Sequence, residues 1–277
     1  MIATIDEAAR YYAARDLGQA ARVCLEIIQA NPRHFDALHL LGVICTNQGQ
    51  HADGTGYLLR AEALRSDDGR LWANLGAAFG AVQRFDKAVH AYQQALALND
   101  RDAGVLNNMG LALQGLERRQ EALDTLRGAL ALDPANDPAL YNLARAQVAV
   151  GNLGEGEAEF RRLQARLAPG TPVQRIAEVT NELARAVADQ RRVEDSLEIL
   201  RTAAAQHPGI VSFRWHEALL LLQLGRFKEG WAAYETRWDA PGHDRAHADY
   251  SVLDLRHVAG QRVLVKGEQG RGDVIQF

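Results

Sequence analysis

A spacing of 34 residues recurs through most of this chain, and it limits severely what the chain can fold into. Trp72, Leu75, Gly76, Phe79, Ala88, Tyr92 and Ala95 are followed 34 positions later by Leu106, Met109, Gly110, Leu113, Ala122, Leu126 and Ala129. The same step backward reaches Leu38, Leu41, Gly42, Cys45, Gly54, Leu58 and Ala61, and one step further back it reaches Ala20, Cys24 and Ile27. Forward it reaches Leu140, Leu143, Ala144, Gly156 and Phe160; after six additional residues the register resumes at Leu183, Ala184, Ser196 and Leu200 and ends with Ala218, Gly230 and Tyr234. The units are therefore 1–34, 35–68, 69–102, 103–136, 137–170, 177–210 and 211–244, with residues 171–176 as an insertion. A period of this length marks an array in which each unit cannot bury its apolar face alone and must stack on its neighbours.

Each unit carries two apolar stripes at helical spacing, separated by a turn such as Asn47-Gln-Gly-Gln or Val150-Gly-Asn, so each reads as a helical hairpin. The eighth position holds Gly42, Gly76, Gly110, Ala144, Ala184 and Ala218, and the twentieth holds Ala20, Gly54, Ala88, Ala122, Gly156, Ser196 and Gly230. Helices approach closely only where side chains are small. Large residues at the twenty-fourth position, among them Tyr92, Phe160 and Tyr234, are expected to fill the gap between neighbouring units. Asp137-Pro138 and Thr171-Pro172 read as N-caps followed by proline at the first helical position, and Pro32, Pro134 and Pro208 as the ends of second helices. The insertion is expected to lengthen the first helix of the sixth unit at its N-terminal end. The fold expected is an all-α solenoid whose first helices line a concave surface.

Composition narrows the function classes. A net charge of −4 and a pI near 6.1 leave no basic footprint for nucleic acid. Cys24 and Cys45 lie on apolar stripes, with neither a CxxC nor a metal-ligand spacing, and read as small packing residues. No metal site is expected: His243 and His247 are four apart but sit in a polar linker without a third ligand. The N-terminus carries acids where a signal peptide carries bases, and the longest apolar stretch, Ala218 to Leu222, falls far short of the roughly 20 residues that span a bilayer. A cytoplasmic protein with no membrane contact and no cofactor in this chain is expected.

The candidate binding residues lie on the predicted concave side. Asn74, Asn108 and Asn142 repeat at intervals of 34, at the position two before the small eighth residue. Consecutive units are offset by roughly 10 Å, and an extended peptide advances about 3.3 Å per residue, so each asparagine meets about every third residue of a bound chain. A carboxamide offers both a donor and an acceptor, which suits a peptide backbone of any sequence; the same asparagines equally suit local stabilisation of the units. His39, Arg70, Tyr141, Arg145, Arg185 and Trp215 occupy second, fifth or ninth positions of first helices and complete the expected groove, with Trp215 suited equally to core packing at its edge. The partner expected is a polypeptide.

These spacings resemble the tetratricopeptide repeat, whose fold is a right-handed superhelix of helical hairpins, and the asparagine ladder resembles that of O-linked N-acetylglucosamine transferases. The segment Glu268-Gln-Gly-Arg-Gly-Asp-Val-Ile-Gln-Phe, with Phe227-Lys-Glu-Gly-Trp-Ala-Ala-Tyr-Glu-Thr-Arg-Trp in the seventh unit, resembles bacterial proteins in which such an array runs into a glycosyltransferase domain. Residues 245–277 then read as a linker and the start of a Rossmann-like half: a strand at Gln261 to Gly267, a glycine-rich loop at Gly270 and Gly272, and a helix start at Asp273. The likeness to heptosyltransferases implies that Asp273 serves as general base in an extended chain; the alternative is a plain N-cap. Two such halves enclose a nucleotide sugar in that family, and only the first strand and loop precede Phe277. The resemblance therefore implies an acceptor-recognition arm that is inactive as it stands.

Overall fold

The computed structural model describes residues 3–235. Fourteen α-helices and no strand lie among them, two helices to each of the seven repeats. The first helices are α1 (Ile5–Ala13), α3 (Phe35–Asn47), α5 (Gly69–Ala81), α7 (Ala103–Gly115), α9 (Asp137–Ala149), α11 (Val173–Asp189) and α13 (Val211–Gln223). The second helices are α2 (Leu17–Ala30), α4 (His51–Glu62), α6 (Phe85–Leu98), α8 (Arg119–Leu132), α10 (Leu153–Gln164), α12 (Val193–Gln206) and α14 (Phe227–Tyr234). Every first helix ends at the thirteenth residue of its repeat and every second helix begins at the seventeenth. α11 begins four residues earlier in its repeat than the five other regular first helices, as the insertion predicts. The expected strand, loop and helix start in 245–277, with Gly270, Gly272 and Asp273, lie outside the described residues, as do His243 and His247.

The break between the two helices is set by backbone conformation. Arg15, Gly49, Gln83, Glu117, Gly151, Arg191 and Gly225, the fifteenth residue of each repeat, all have positive φ. A left-handed residue after a helix closes the last turn and reverses the chain. Glycine adopts it without a steric penalty at three sites, whereas the other four repeats carry an ordinary side chain there.

Four of the six connections between repeats share one device, and those before α11 and α13 lack it. His34, Asp68, Asp102 and Asn136, each the last residue of its repeat, cap the following first helix: Ala37, Leu71, Val105 and Ala139 donate their amides to these side chains at 3.3, 3.1, 2.9 and 2.9 Å. The cap of α9 is thus Asn136, and Asp137 is its first helical residue with Pro138 second. Pro172, not Thr171, stands at the cap of α11, and the Thr171 hydroxyl donates to the Ala168 carbonyl at 2.8 Å. Pro32, Pro134 and Pro208 follow the ends of α2, α8 and α12 as expected.

Small residues bring the paired helices together. A methyl at Gly42 or Gly110 would lie 2.6 or 2.7 Å from Leu58 or Leu126, and one at Gly76 would meet the Tyr92 ring. The large twenty-fourth residue therefore rests on the eighth residue of its own repeat, where the sequence pattern had placed it between repeats. Phe160 serves both contacts, packing with Ala144 below it and with Leu183 and Val187 of the next repeat. The twentieth residue approaches the backbone of the first helix. A methyl at Gly54 would stand 2.9 Å from the Gly42 carbonyl, and the Ser196 hydroxyl instead donates to the Ala184 carbonyl at 2.7 Å, fully buried.

The helices form two units, residues 1–206 and a second beginning at His207. Within residues 1–206, α1, α3, α5, α7 and α9 each touch the next first helix, while the second helices make no comparable contact with one another. First helices therefore form the inner row and second helices the outer one. In the second unit α13 packs on α14, with Trp215 and Tyr234 at 4.9 Å between ring centroids. Across the fifth and sixth repeats, the buried Glu157 carboxylate accepts from Arg161 (2.9 Å), Gln190 (2.7 Å) and Arg192 (2.8 Å). Burial alone would raise its pKa, but the Gln190 and Arg161 bonds, together with the charges of Arg192 and Arg161, outweigh burial and lower it.

Two stability predictions follow from this packing. Gly76→Ala drives a methyl into the Tyr92 ring and should cost about 1–3 kcal/mol, read as a lower urea midpoint; an unchanged midpoint would mean the ring moves aside freely. Glu157→Gln should lose roughly 1–3 kcal/mol at neutral pH. Because the folded pKa of Glu157 is depressed, its stabilisation is present above the unfolded value of about 4.3 and is lost as pH falls below it. The wild-type and variant unfolding curves should converge in that acid range.

Candidate functional site

The inner row of residues 1–206 holds the candidate groove residues: His39 on α3, Arg70 and Asn74 on α5, Asn108 on α7, Asn142, Tyr141 and Arg145 on α9, and Arg185 on α11. An open cleft of about 940 Å³ lies at the N-terminal ends of α5 and α7. Arg65, Asp68, Arg70, Asn74, Leu98 and Asp102 are among its lining residues. Asp68 and Asp102 are committed to capping, and Asp68 also accepts from Arg65 at 3.1 Å. Burial pushes the Asp68 carboxyl upward, but the Leu71 and Arg70 amides and the Arg65 guanidinium more than offset this and lower its pKa. Arg70 is exposed at the cleft.

The three asparagines are not equivalent. Asn74 is half-buried, and its Nδ2 faces His39 Nε2 of the preceding repeat at 2.8 Å. Asn142 is buried and its Nδ2 donates to Asn107 Oδ1 at 2.8 Å. Asn107 in turn donates through its Nδ2 to Asn108 Oδ1 at 3.1 Å, and Asn108 is exposed. The periodic pattern had made Asn142 a rung open to a ligand; its carboxamide is instead an internal bridge between the fourth and fifth repeats. Asn107 was missed because the equivalent fifth positions hold His39, Ala73 and Tyr141, so no residue type repeats there. The available signal was the pairing of fifth and sixth positions 35 residues apart, His39 with Asn74 and Asn107 with Asn142.

His39 is fixed by an aromatic stack. Its ring meets Phe35 edge to face at 5.7 Å, and the Arg65 guanidinium lies over Phe35 at 3.6 Å from the ring centroid. Burial lowers the His39 pKa; Asp68 and Asp36 pull it back up, and Arg65 and Arg70 reinforce the fall. The ring is therefore neutral at pH 7, and its bare nitrogen accepts from Asn74.

A second cluster surrounds Tyr141. Arg175, from the extra turn of α11, lies 4.7 Å from the Tyr141 centroid, Arg145 lies at 5.9 Å, and Phe160 meets the ring edge to face at 5.8 Å. Arg175 also pairs with Glu178 at 3.4 Å, and Arg185 pairs with Glu182 and Asp189. Arg185 is thus already committed to two carboxylates. Burial and Glu182 raise the Tyr141 pKa and leave the phenol protonated.

Among the described residues, no three His, Cys, Asp or Glu side chains gather as a metal site, and no helix is long and apolar enough to cross a membrane. Cys24 and Cys45 are free and buried; burial pushes the Cys24 thiol up to about 11.

Family models of the tetratricopeptide repeat match residues 5–69, 69–102, 113–176 and 181–242. Protein FlbA of Caulobacter vibrioides is 38% identical over 84 residues, which cover 27% of this chain and 14% of FlbA. The match thus spans a small part of that relative's length. Among solved structures, PilW, described as a type IV pilus biogenesis factor, superposes with a TM-score of 0.64 at 19% identity, covering 73% of this chain and 90% of PilW. YrrB, described as having an unusual peptide-binding site, gives 0.56 at 17% identity, covering 75% and 100%. The APC/C hetero-tetramer Cut9–Hcn1 gives 0.63 at 13% identity, covering 87% and 46%. At these identities the likeness establishes the fold.

The unequal burial of the asparagines is directly measurable. Asn142→Ala should cost about 1–3 kcal/mol, since it strands the buried Asn107 oxygen, whereas Asn108→Ala at the exposed end should stay within about 0.5 kcal/mol of the parent. Equal losses in chemical denaturation would show that the two sites are equally open.

Proposed function

The chain belongs to the tetratricopeptide-repeat family, and from that premise we propose that it is a protein-interaction module whose inner row binds an extended polypeptide. The observation that carries this reading is the opposite polarity of two neighbouring amides. Asn74 gives its N–H to His39 and keeps its oxygen, while Asn108 receives a proton from Asn107 and keeps its own NH₂. Adjacent first helices thus offer an acceptor and a donor, spaced for roughly three residues of extended chain. A peptide backbone supplies the complementary N–H and C=O. Arg70 adds a cation beside Asn74, which favours a carboxylate on the bound segment. Toward α9 and α11 the groove carries Tyr141 and Arg145; the Tyr141 face already bears Arg175, so a partner meets an arginine–tyrosine stack there.

A second reading rests on the sequence from Glu268 to Phe277 and its likeness to glycosyltransferase loops. In it the array is the acceptor-recognition arm of a transferase with a nucleotide-sugar donor. Sugar transfer by a longer gene product, lost in Asp273→Asn at unchanged melting temperature, would carry that reading; transfer within a fewfold of the parent would leave Asp273 as a helix cap.

The docking reading is tested with a peptide selected by display on the whole chain at about pH 7.5, above the ordinary histidine range. Arg70→Ala with Asn74→Ala should weaken its binding about tenfold or more, at roughly 1 kcal/mol or above per lost hydrogen bond. Helical circular dichroism should be unchanged. Affinity within about twofold of the parent would place the binding surface elsewhere.

A further inference from the structure

We infer that His39 is a positioning residue for this groove: its neutral ring holds the Asn74 carboxamide with the oxygen toward the cleft, and its protonation turns that amide over, so that the cleft meets a donor in place of an acceptor. The consequence for a partner rests on the docking reading above; the geometry does not.

The two groups face each other across repeats, Nδ2 to Nε2 at 2.8 Å, 35 residues apart in sequence. A neutral imidazole with its proton on Nδ1 can only accept at Nε2, so Asn74 must present its NH₂ there. An imidazolium has no acceptor, and both of its nitrogens carry hydrogen. The Asn74 oxygen must then rotate to His39, which sends the NH₂ to the other side, where Asn74 lines the cleft. Rotation about a terminal carboxamide torsion is soft, whereas His39 is held edge to face on Phe35 under Arg65. The amide is therefore the half of the pair that moves.

The charges facing His39 are Asp36 on its own helix, Arg65 and Asp68 in the connection before α5, and Arg70 on α5. Burial is the largest influence and lowers the pKa; the two acids oppose it and the two arginines reinforce it. The folded form thus takes up this proton less readily than the unfolded chain. Stability from the neutral pair is complete above the unfolded value of about 6.5 and falls as pH drops through the lower folded value. The amide reversal takes place in that acid window.

Nitrogen-15 spectra of the intact chain test the geometry without any peptide. Above the titration, His39 should show a proton on Nδ1 and a bare Nε2, and the Asn74 side-chain amide resonances should move with the His39 titration as the sample is acidified. A proton on Nε2 at high pH, or Asn74 resonances that stay still while His39 titrates, would overturn the inference. With the display-selected peptide as probe, wild-type affinity should fall about fivefold or more as the pH is taken from about 7.5 down through the His39 titration located by the nitrogen spectra. His39→Gln, whose oxygen accepts from Asn74 and does not titrate, should bind with an affinity independent of pH over the same range. An equal pH dependence in His39→Gln and the parent would assign the effect to another group. A selection that yields no binding peptide, or a selected peptide whose affinity Arg70→Ala with Asn74→Ala leaves unchanged, would count against the docking reading alone, since the nitrogen spectra decide the role of His39 by themselves.

Discussion

The structure depends on one steric condition, the close approach of the two helices inside each hairpin. Gly42, Gly76 and Gly110 leave no room for a methyl beneath Leu58, Tyr92 and Leu126. Gly54 and Gly156 bring the second helix nearly onto the carbonyls of Gly42 and Ala144. With no side chain between them, the paired helices bury their apolar faces on each other, and Leu58, Leu126 and Phe160 become fully inaccessible. Ser196 obeys the same rule by different chemistry: its small hydroxyl reaches the Ala184 carbonyl, so the close contact is polar and still satisfied. A hairpin closed this tightly presents its first helix to the next hairpin. Consecutive first helices therefore touch within residues 1–206, and the inner row is a consequence of glycines and alanines packed between the paired helices.

The sequence was most legible where physics forces the same residue type at the same position. Among the described residues, the fourteen helices and the hairpin turns follow from small and apolar spacing, the lengthened α11 from the insertion, and the ends of α2, α8 and α12 from the prolines behind them. It was least legible where a backbone conformation repeats without its residue. The fifteenth position is left-handed in all seven repeats, yet Arg15, Gln83, Glu117 and Arg191 give no compositional sign of it. Capping was misread at α9 for a related reason: Asp137-Pro138 resembles a cap, but the true cap, Asn136, is aligned with His34, Asp68 and Asp102, three residue types sharing one role. A period search that demands identical residues overlooks a position whose common property is an acceptor at the right distance.

The insertion shows how an irregular repeat is held in an otherwise regular array. The four additional residues at the start of α11 place Arg175 over Tyr141 and within 3.4 Å of the Asp137 carbonyl, so the extra turn is tied back to the preceding repeat on the inner side. On the outer side Glu157 collects Arg161, Gln190 and Arg192. Most other ion pairs among the described residues are exposed arginine–carboxylate pairs three or four residues apart, such as Arg118 with Glu121 and Arg226 with Glu229, which contribute little to stability. The buried exception lies at the junction where the repeat register breaks.

The inner row was legible as a row of asparagines and not as a circuit. Taken singly, Asn74, Asn108 and Asn142 are the same residue at the same place in three repeats. Their roles separate because each has a different neighbour in the adjoining repeat or along its own helix. Asn142 discharges its donor into Asn107, Asn107 into Asn108, and Asn74 into His39. Each bond fixes one end of a carboxamide and thereby chooses which end is left over. Asn108 ends a relay whose protons all run toward it, so it retains NH₂; Asn74 ends on a bare imidazole nitrogen, so it retains oxygen. The polarity of each rung belongs to the contact between repeats, and an exchange at a fifth position, such as His39 for Ala73, alters the rung it neighbours without touching the rung itself. Under the docking reading, that is how an array of near-identical hairpins acquires a direction along its groove.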